Sequence, residues 1–101
     1  MERYHLSNAA DTDFAKLYSD GIVDFGLEQA QDYALGLYDL LQTLGENPRM
    51  GYSAKELAPE LRRFPYQSHV IFYLQDSDGV YIVRILRKEM DFKKGHFLEE
   101  Q

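Results

Sequence analysis

The period of the apolar positions changes along the chain. From Asn8 to Phe25, Phe14, Leu17, Tyr18, Ile22 and Phe25 recur three and four residues apart, as one face of a helix does. Ser7 in front is suited to cap that helix, and Asp11 and Asp13 fall in its first turns, where the helix dipole favours negative charge. Gly21 inside it costs about 1 kcal/mol relative to alanine and points to a close approach or a bend. Gly26 breaks the stripe. A stronger one follows, with Ala30, Tyr33, Ala34, Leu37, Tyr38, Leu41 and Leu44 on one side and Asp32 and Asp39 off it. Gly45 just past the end and Pro48 beyond are the expected stop signals. With about one residue between them, the two helices form an antiparallel hairpin whose joint stripe packs on a sheet.

After a connector from Asn47 to Pro59, with a short turn over Ala54 to Leu57, three β-patterned runs follow: Leu61 to Tyr66, His69 to Leu74 and Val80 to Leu86. Gln75-Asp76-Ser77-Asp78-Gly79 is turn chemistry, so the runs form an antiparallel meander. Pro65 lacks an amide hydrogen and puts its strand at an edge or a bulge. The last two runs are apolar at both parities, which requires cover on both sheet faces. The hairpin supplies one cover, and Phe92, His96 and Phe97, spaced i, i+4 and i+5, suggest a short helix or hook for the other. Arg3 to Leu6 is a further candidate strand. The expected architecture is α+β in one domain over residues 1–101: an N-terminal strand, the antiparallel helical hairpin, the three-stranded antiparallel meander, and a short C-terminal helix or tail. Strict alternation puts Arg84 on one face with Val80, Ile82 and Leu86. A guanidinium among aliphatics is costly unless paired, so Arg84 marks either a site or an ion pair with Glu89, Asp91 or a tail carboxylate.

Composition narrows the function classes. At 101 residues there is room for one core. No apolar run is long enough to span a membrane, and the first residues lack the pattern of a signal peptide, so a cytoplasmic protein is expected. With no cysteine there is no disulfide frame and no thiolate. His5, His69 and His96 lack ligand spacing. Neither metal nor cofactor is expected. The formal charge of −6 disfavours direct nucleic-acid binding through general attraction. Residues 1–50 carry three cations against nine acids, a balance of −6, whereas residues 51–101 carry eight of each. The excess negative charge therefore sits on the N-terminal half, as a solubilising face or as the complement of a basic partner.

No phosphate loop, dinucleotide fingerprint or nucleophile elbow is present. Asp76-Ser77-Asp78-Gly79 has the opening of a calcium loop but runs on into a strand, which favours a hairpin turn. Arg62, Arg63, Arg84, Arg87 and Lys88, with His69 and Tyr66, form the one basic set that could neutralise a phosphate and relay protons. Overall charge weighs against that use. Arg62 and Arg63 read equally well as a solvated strand edge, and His69 as a satisfied strand residue.

Several segments together resemble a known family: Tyr4-His5-Leu6-Ser7 with Ala10 and Asp13-Phe14; Phe25-Gly26 with Gln29-Ala30; Pro48 with Gly51; Glu56-Leu57; the run from Leu61 to Tyr73; and Val80, Ile82 to Leu86 and Met90-Asp91. Over nearly its whole length the chain resembles the ParE toxins of type II toxin–antitoxin systems, in the RelE/ParE superfamily. Three positions depart from the family pattern: Glu60 where glycine is common, Tyr52 where a basic residue often follows the glycine, and Arg87 in place of a frequent histidine.

The resemblance implies a cytoplasmic toxin that inhibits DNA gyrase without enzymatic activity and forms a hetero-oligomer with a cognate antitoxin, a protein segment that orders on binding. The expected toxic surface is Arg84, Arg87, Lys88, Met90 and Asp91. The expected antitoxin contacts are Arg62, Arg63, Phe64 and Tyr66 at the strand edge, with Tyr18 and Phe25 on the hairpin. The alternative is a ribosome-dependent mRNA endoribonuclease of the RelE type, whose usual C-terminal tyrosine is missing here because none follows Tyr81. A third reading is a non-toxic member that only sequesters an antitoxin.

Overall fold

The computed structural model describes residues 2–97. Strand β1 (Tyr4–Leu6) leads through Ser7 into helix α1 (Asn8–Phe25). The buried Ser7 hydroxyl accepts the Ala10 N–H at 2.9 Å and donates to the Val83 carbonyl at 2.8 Å, so the expected cap also ties the helix start to the sheet. Gly26 alone, at φ 93°, separates α1 from α2 (Leu27–Glu46). That left-handed backbone suits glycine and turns the chain back on itself. A Cβ on Gly21 would lie 3.4 Å from that of Ala30, so the glycine in α1 marks a close helix crossing. Gly45 proves to lie inside the last turn of α2. The Arg3 carbonyl crosses there, leaving no room for a side chain, and the helix ends at Asn47.

A 3₁₀ turn (Pro48–Met50) leads to β2 (Tyr52–Ser53), then β3 (Arg62–Tyr66), β4 (His69–Asp76) and β5 (Gly79–Arg87). The sheet order is β1-β5-β4-β3-β2. The meander is as expected, within a five-stranded sheet: β1 pairs parallel to β5, and the two residues of β2, too few to carry a period, pair with Arg62 and Arg63. Only Ser77 and Asp78 separate β4 from β5, and Asp76 Oδ1 accepts the Asp78 N–H at 2.9 Å, so that stretch is a hairpin turn.

Both sheet faces are covered. On one, Leu37, Leu41 and Leu44 of α2 and Phe14 of α1 bury against Ile71, Tyr73, Val80, Ile82 and Ile85. On the other, Phe92 and Phe97 lay their rings on Phe72, with centroids 5.0 and 4.6 Å away, beside Ala54, Leu61, Val70, Val83 and Leu86. The expected hook is thus a 3₁₀ turn, Lys94–Phe97. Phe25, expected on the apolar stripe, is 66% exposed at the end of α1.

One expectation fails for a definite reason. Phe72 pairs with Arg84 but Tyr73 pairs with Ile82, so Val83 is an extra residue, a β-bulge. The bulge reverses parity: Val80 and Ile82 face the helices with Ile85, whereas Val83, Arg84 and Leu86 belong to the other side. Arg84 does not share a face with Val80 and Ile82.

Candidate functional site

Strand β1 covers β5 only from Val80 to Ile82, so the outer edge of β5 is open from Val83 on. Two side chains close it. Ser7 takes the Val83 carbonyl, and Asp13, one turn into α1, accepts the Ile85 N–H at 3.0 Å. The same carboxylate takes Arg84 in a bidentate pair, Nε at 2.8 Å and a terminal nitrogen at 2.9 Å. The other terminal nitrogen donates to the His96 carbonyl at 3.1 Å. Arg84 therefore joins α1, β5 and the C-terminal turn, and its hydrogen bonds to Asp13 push its guanidinium further above its ordinary value. Its partner is Asp13, not Glu89, Asp91 or a tail carboxylate. Glu89 pairs instead with Arg87, and the carboxylates at 99 and 100 lie outside the described residues. The sequence carried a signal for Asp13, an acid three residues from the buried Ala10 on the sheet-facing side of α1, but the pair spans 71 residues and local pattern cannot supply that distance.

Beyond β5 the chain makes an exposed turn. The Lys88 N–H donates to the Ser68 carbonyl at 3.0 Å and the Met90 N–H to the Arg87 carbonyl at 3.1 Å, leaving Arg87, Lys88, Met90 and Asp91 exposed together. Arg84, the fifth residue expected there, is not part of that exposed turn: it is held between α1 and the C-terminal turn, with each of its three guanidinium nitrogens making a hydrogen bond.

The expected antitoxin contacts fall into two patches. Phe64 and Tyr66 lean toward the hairpin: Tyr66 donates to the Tyr33 carbonyl at 2.9 Å, and Phe64 stacks on Tyr52 at 6.2 Å. Arg62 is a strap, donating to the Arg49 and Gly51 carbonyls, with its Nε buried and without a partner. Arg63 pairs with Glu56. Tyr18, half-buried, and Phe25 belong to α1, which packs over β5, two strands away from β3.

A cavity of about 340 Å³ lies between those patches, bounded by the end of α1, the start of α2, the β3–β4 turn and the segment after β5. At its back the Tyr33 hydroxyl meets His69 Nδ1 at 2.7 Å and accepts the Ser68 N–H at 3.2 Å. Burial, then the charge of Arg87, holds His69 below the ordinary histidine range, and burial raises the Tyr33 phenol. Sequence periodicity gave Tyr33 to the core and His69 to a strand without joining them.

Among the described residues no three histidine or acidic side chains converge as a metal site. No helix among them is long and apolar enough to cross a membrane. The Arg84 guanidinium is paired with the Asp13 carboxylate.

Comparison with known proteins agrees with this architecture. Residues 4–92 match the family described as ParE toxin of type II toxin-antitoxin system, parDE. Toxin ParE1 of Mycobacterium tuberculosis is 31% identical over 94 residues, covering 92% of this chain and 96% of its own. Toxin ParE1 of Caulobacter vibrioides is 34% identical over 91 residues, covering 90% and 94%. A chain from the chromosomal ParDE TA system of P. aeruginosa superposes with a TM-score of 0.74 at 19% identity, covering 88% of this chain and 98% of that one, which establishes likeness of fold. With the family match over most of its length and relatives above 30% identity, the chain belongs to the ParE toxins of type II toxin–antitoxin systems.

Proposed function

We propose that this toxin arrests growth in the cytoplasm by binding DNA gyrase, makes and breaks no covalent bond, and is neutralised in a hetero-oligomer with a cognate antitoxin. The observation that supports the non-enzymatic reading is the Asp13–Arg84 pair: the strand arginine gives three of its five N–H groups to partners inside the protein and its charge is met by Asp13, which weakens it as a clamp for a scissile phosphate. The exposed turn of Arg87, Lys88, Met90 and Asp91 is the toxic surface, and Arg84 holds the tail that follows it through the His96 carbonyl. The antitoxin segment orders across Tyr18 and Phe25 on the hairpin and along the β3 edge from Arg62 to Tyr66.

The test sets a gyrase supercoiling assay beside a translation reaction in which mRNA is mapped by toe-printing. Inhibited supercoiling with intact message is expected, and A-site cleavage with untouched supercoiling would overturn the proposal. Within the first outcome, Arg87→Ala should lower inhibition while leaving the thermal midpoint nearly unchanged, because its ion pair with Glu89 is exposed.

A further inference from the structure

The cavity between the hairpin tip and the β3–β4 turn combines an apolar floor with a charged rim. Leu17, Gly21 and Ala30 form the floor, which suits a methylene stem. Asp20, Asp24 and Glu89 stand at the rim against one cation, Arg87, itself engaged by Glu89 at 2.7 Å. Asp24 has no hydrogen-bond or ion-pair partner among the described residues. Asp20 is held by Lys16 at 2.9 Å, a pair more than half exposed on both sides and so easily exchanged. At about 30 Å³ per water, the space of about 340 Å³ takes one long side chain with some water. The site is lined in part by Phe25, 66% exposed, and two further exposed apolar side chains stand near it in the chain at the hairpin tip, Val23 at 83% and Leu27 at 53%. A partner anchored on them passes its mouth.

We infer that this cavity receives a single basic side chain, lysine or arginine, from the antitoxin segment, and that Asp24 with Asp20 decides which antitoxins fit. The inference rests on the antitoxin reading above and deepens it. Charge complementarity carries it: the excess negative charge of the chain lies in residues 1–50, which supply both helices, and the concave part of that region has an unpaired carboxylate beside the apolar surface of Leu17 and Ala30. An apolar or acidic side chain there would leave Asp24 facing hydrocarbon or a like charge.

The experiment measures binding of the full-length protein to the antitoxin encoded beside it, by calorimetry at two salt concentrations. Asp24→Asn should weaken binding about tenfold and flatten the salt dependence, whereas Asp11→Asn, on the same helix but outside the cavity, should not. Lys16→Ala frees Asp20 and should tighten binding, a result that a merely structural role for the rim would not produce. Replacing each antitoxin lysine and arginine by glutamine in turn should identify one position at which the Asp24→Asn effect disappears. If wild type binds and all variants bind equally, the cavity assignment falls and the antitoxin reading stands. If wild type does not bind its neighbour's product, both fall.

Discussion

The two faces of the sheet are covered by unlike means. The first lies under helices of 18 and 20 residues that satisfy their own backbones and present a continuous stripe, with Leu37, Leu41 and Leu44 fully buried. The second lies under a turn around Ala54 and a four-residue 3₁₀ turn, held by Phe92 and Phe97 and by one bond from Arg84 to the His96 carbonyl. The first cover is self-supporting. The second depends on a few side chains that reach back to the sheet, and it adjoins the exposed turn from Arg87 to Asp91. Stability should therefore concentrate under the helices, and adjustable geometry should concentrate on the side proposed to meet gyrase.

The largest effect is expected beneath the helices. Leu41→Ala removes a fully buried side chain between two rigid elements and should cost about 2 to 5 kcal/mol, read as a shift in denaturant midpoint at unchanged slope. A shift worth under 0.5 kcal/mol would show that the stripe is not core. Asp13→Ala comes next, at about 3 kcal/mol, since it leaves a part-buried guanidinium without its counter-charge and the Ile85 N–H without its acceptor. Asp13→Asn can keep the Ile85 contact through its side-chain oxygen and should cost less. Equal losses for both would assign the stabilisation to charge alone.

The same contrast explains what the sequence revealed. The hairpin was legible because α2 repeats its apolar positions over about four turns, from Ala30 to Leu44, and because Ser7 and Gly26 act locally. The tail was legible as well, since three aromatic rings at i, i+4 and i+5 have little other reason to cluster. Gly45 misled because a glycine near a helix end signals a stop as readily as a crossing chain, and the Arg3 carbonyl that crosses it comes from the other end of the sequence. Arg84 misled because one extra residue, Val83, reverses the parity on which face assignment depends, and nothing local distinguishes Val83 from its neighbours. The exposed turn from Arg87 to Asp91 follows from composition. The cavity does not, because it is assembled from four separated segments.

On the second face Phe97→Ala should cost about 2 kcal/mol, below the usual range for a buried phenylalanine, because a terminal turn can fray rather than hold a cavity. It should reduce gyrase inhibition more than Leu41→Ala does at conditions where both variants stay folded. The reverse ranking in toxicity would break the link between the thin cover and the toxic surface. Glu60→Gly should stabilise by about 1 kcal/mol: Glu60 sits at φ 66°, where a side chain costs about 1 to 2 kcal/mol, partly offset by the entropy of glycine. A glycine is common at this position in the family, which fits that backbone, and a loss of stability would mean that the glutamate side chain has a stabilising role of its own.

The smallest effect concerns acid. His69 titrates below its ordinary value of 6.5, chiefly because burial disfavours its charged form. The unfolded chain therefore takes up this proton at a higher pH than the folded one does. The resulting stabilisation is complete above about pH 6.5 and is lost as the pH falls through the folded value. Denaturant midpoints measured from pH 7.5 to 5.5 should fall for wild type and fall less for His69→Gln. Because His69 closes the back of the cavity under α2, the slope reports on the helical side of the molecule. An identical slope in both proteins would mean that a group other than His69 carries the acid sensitivity.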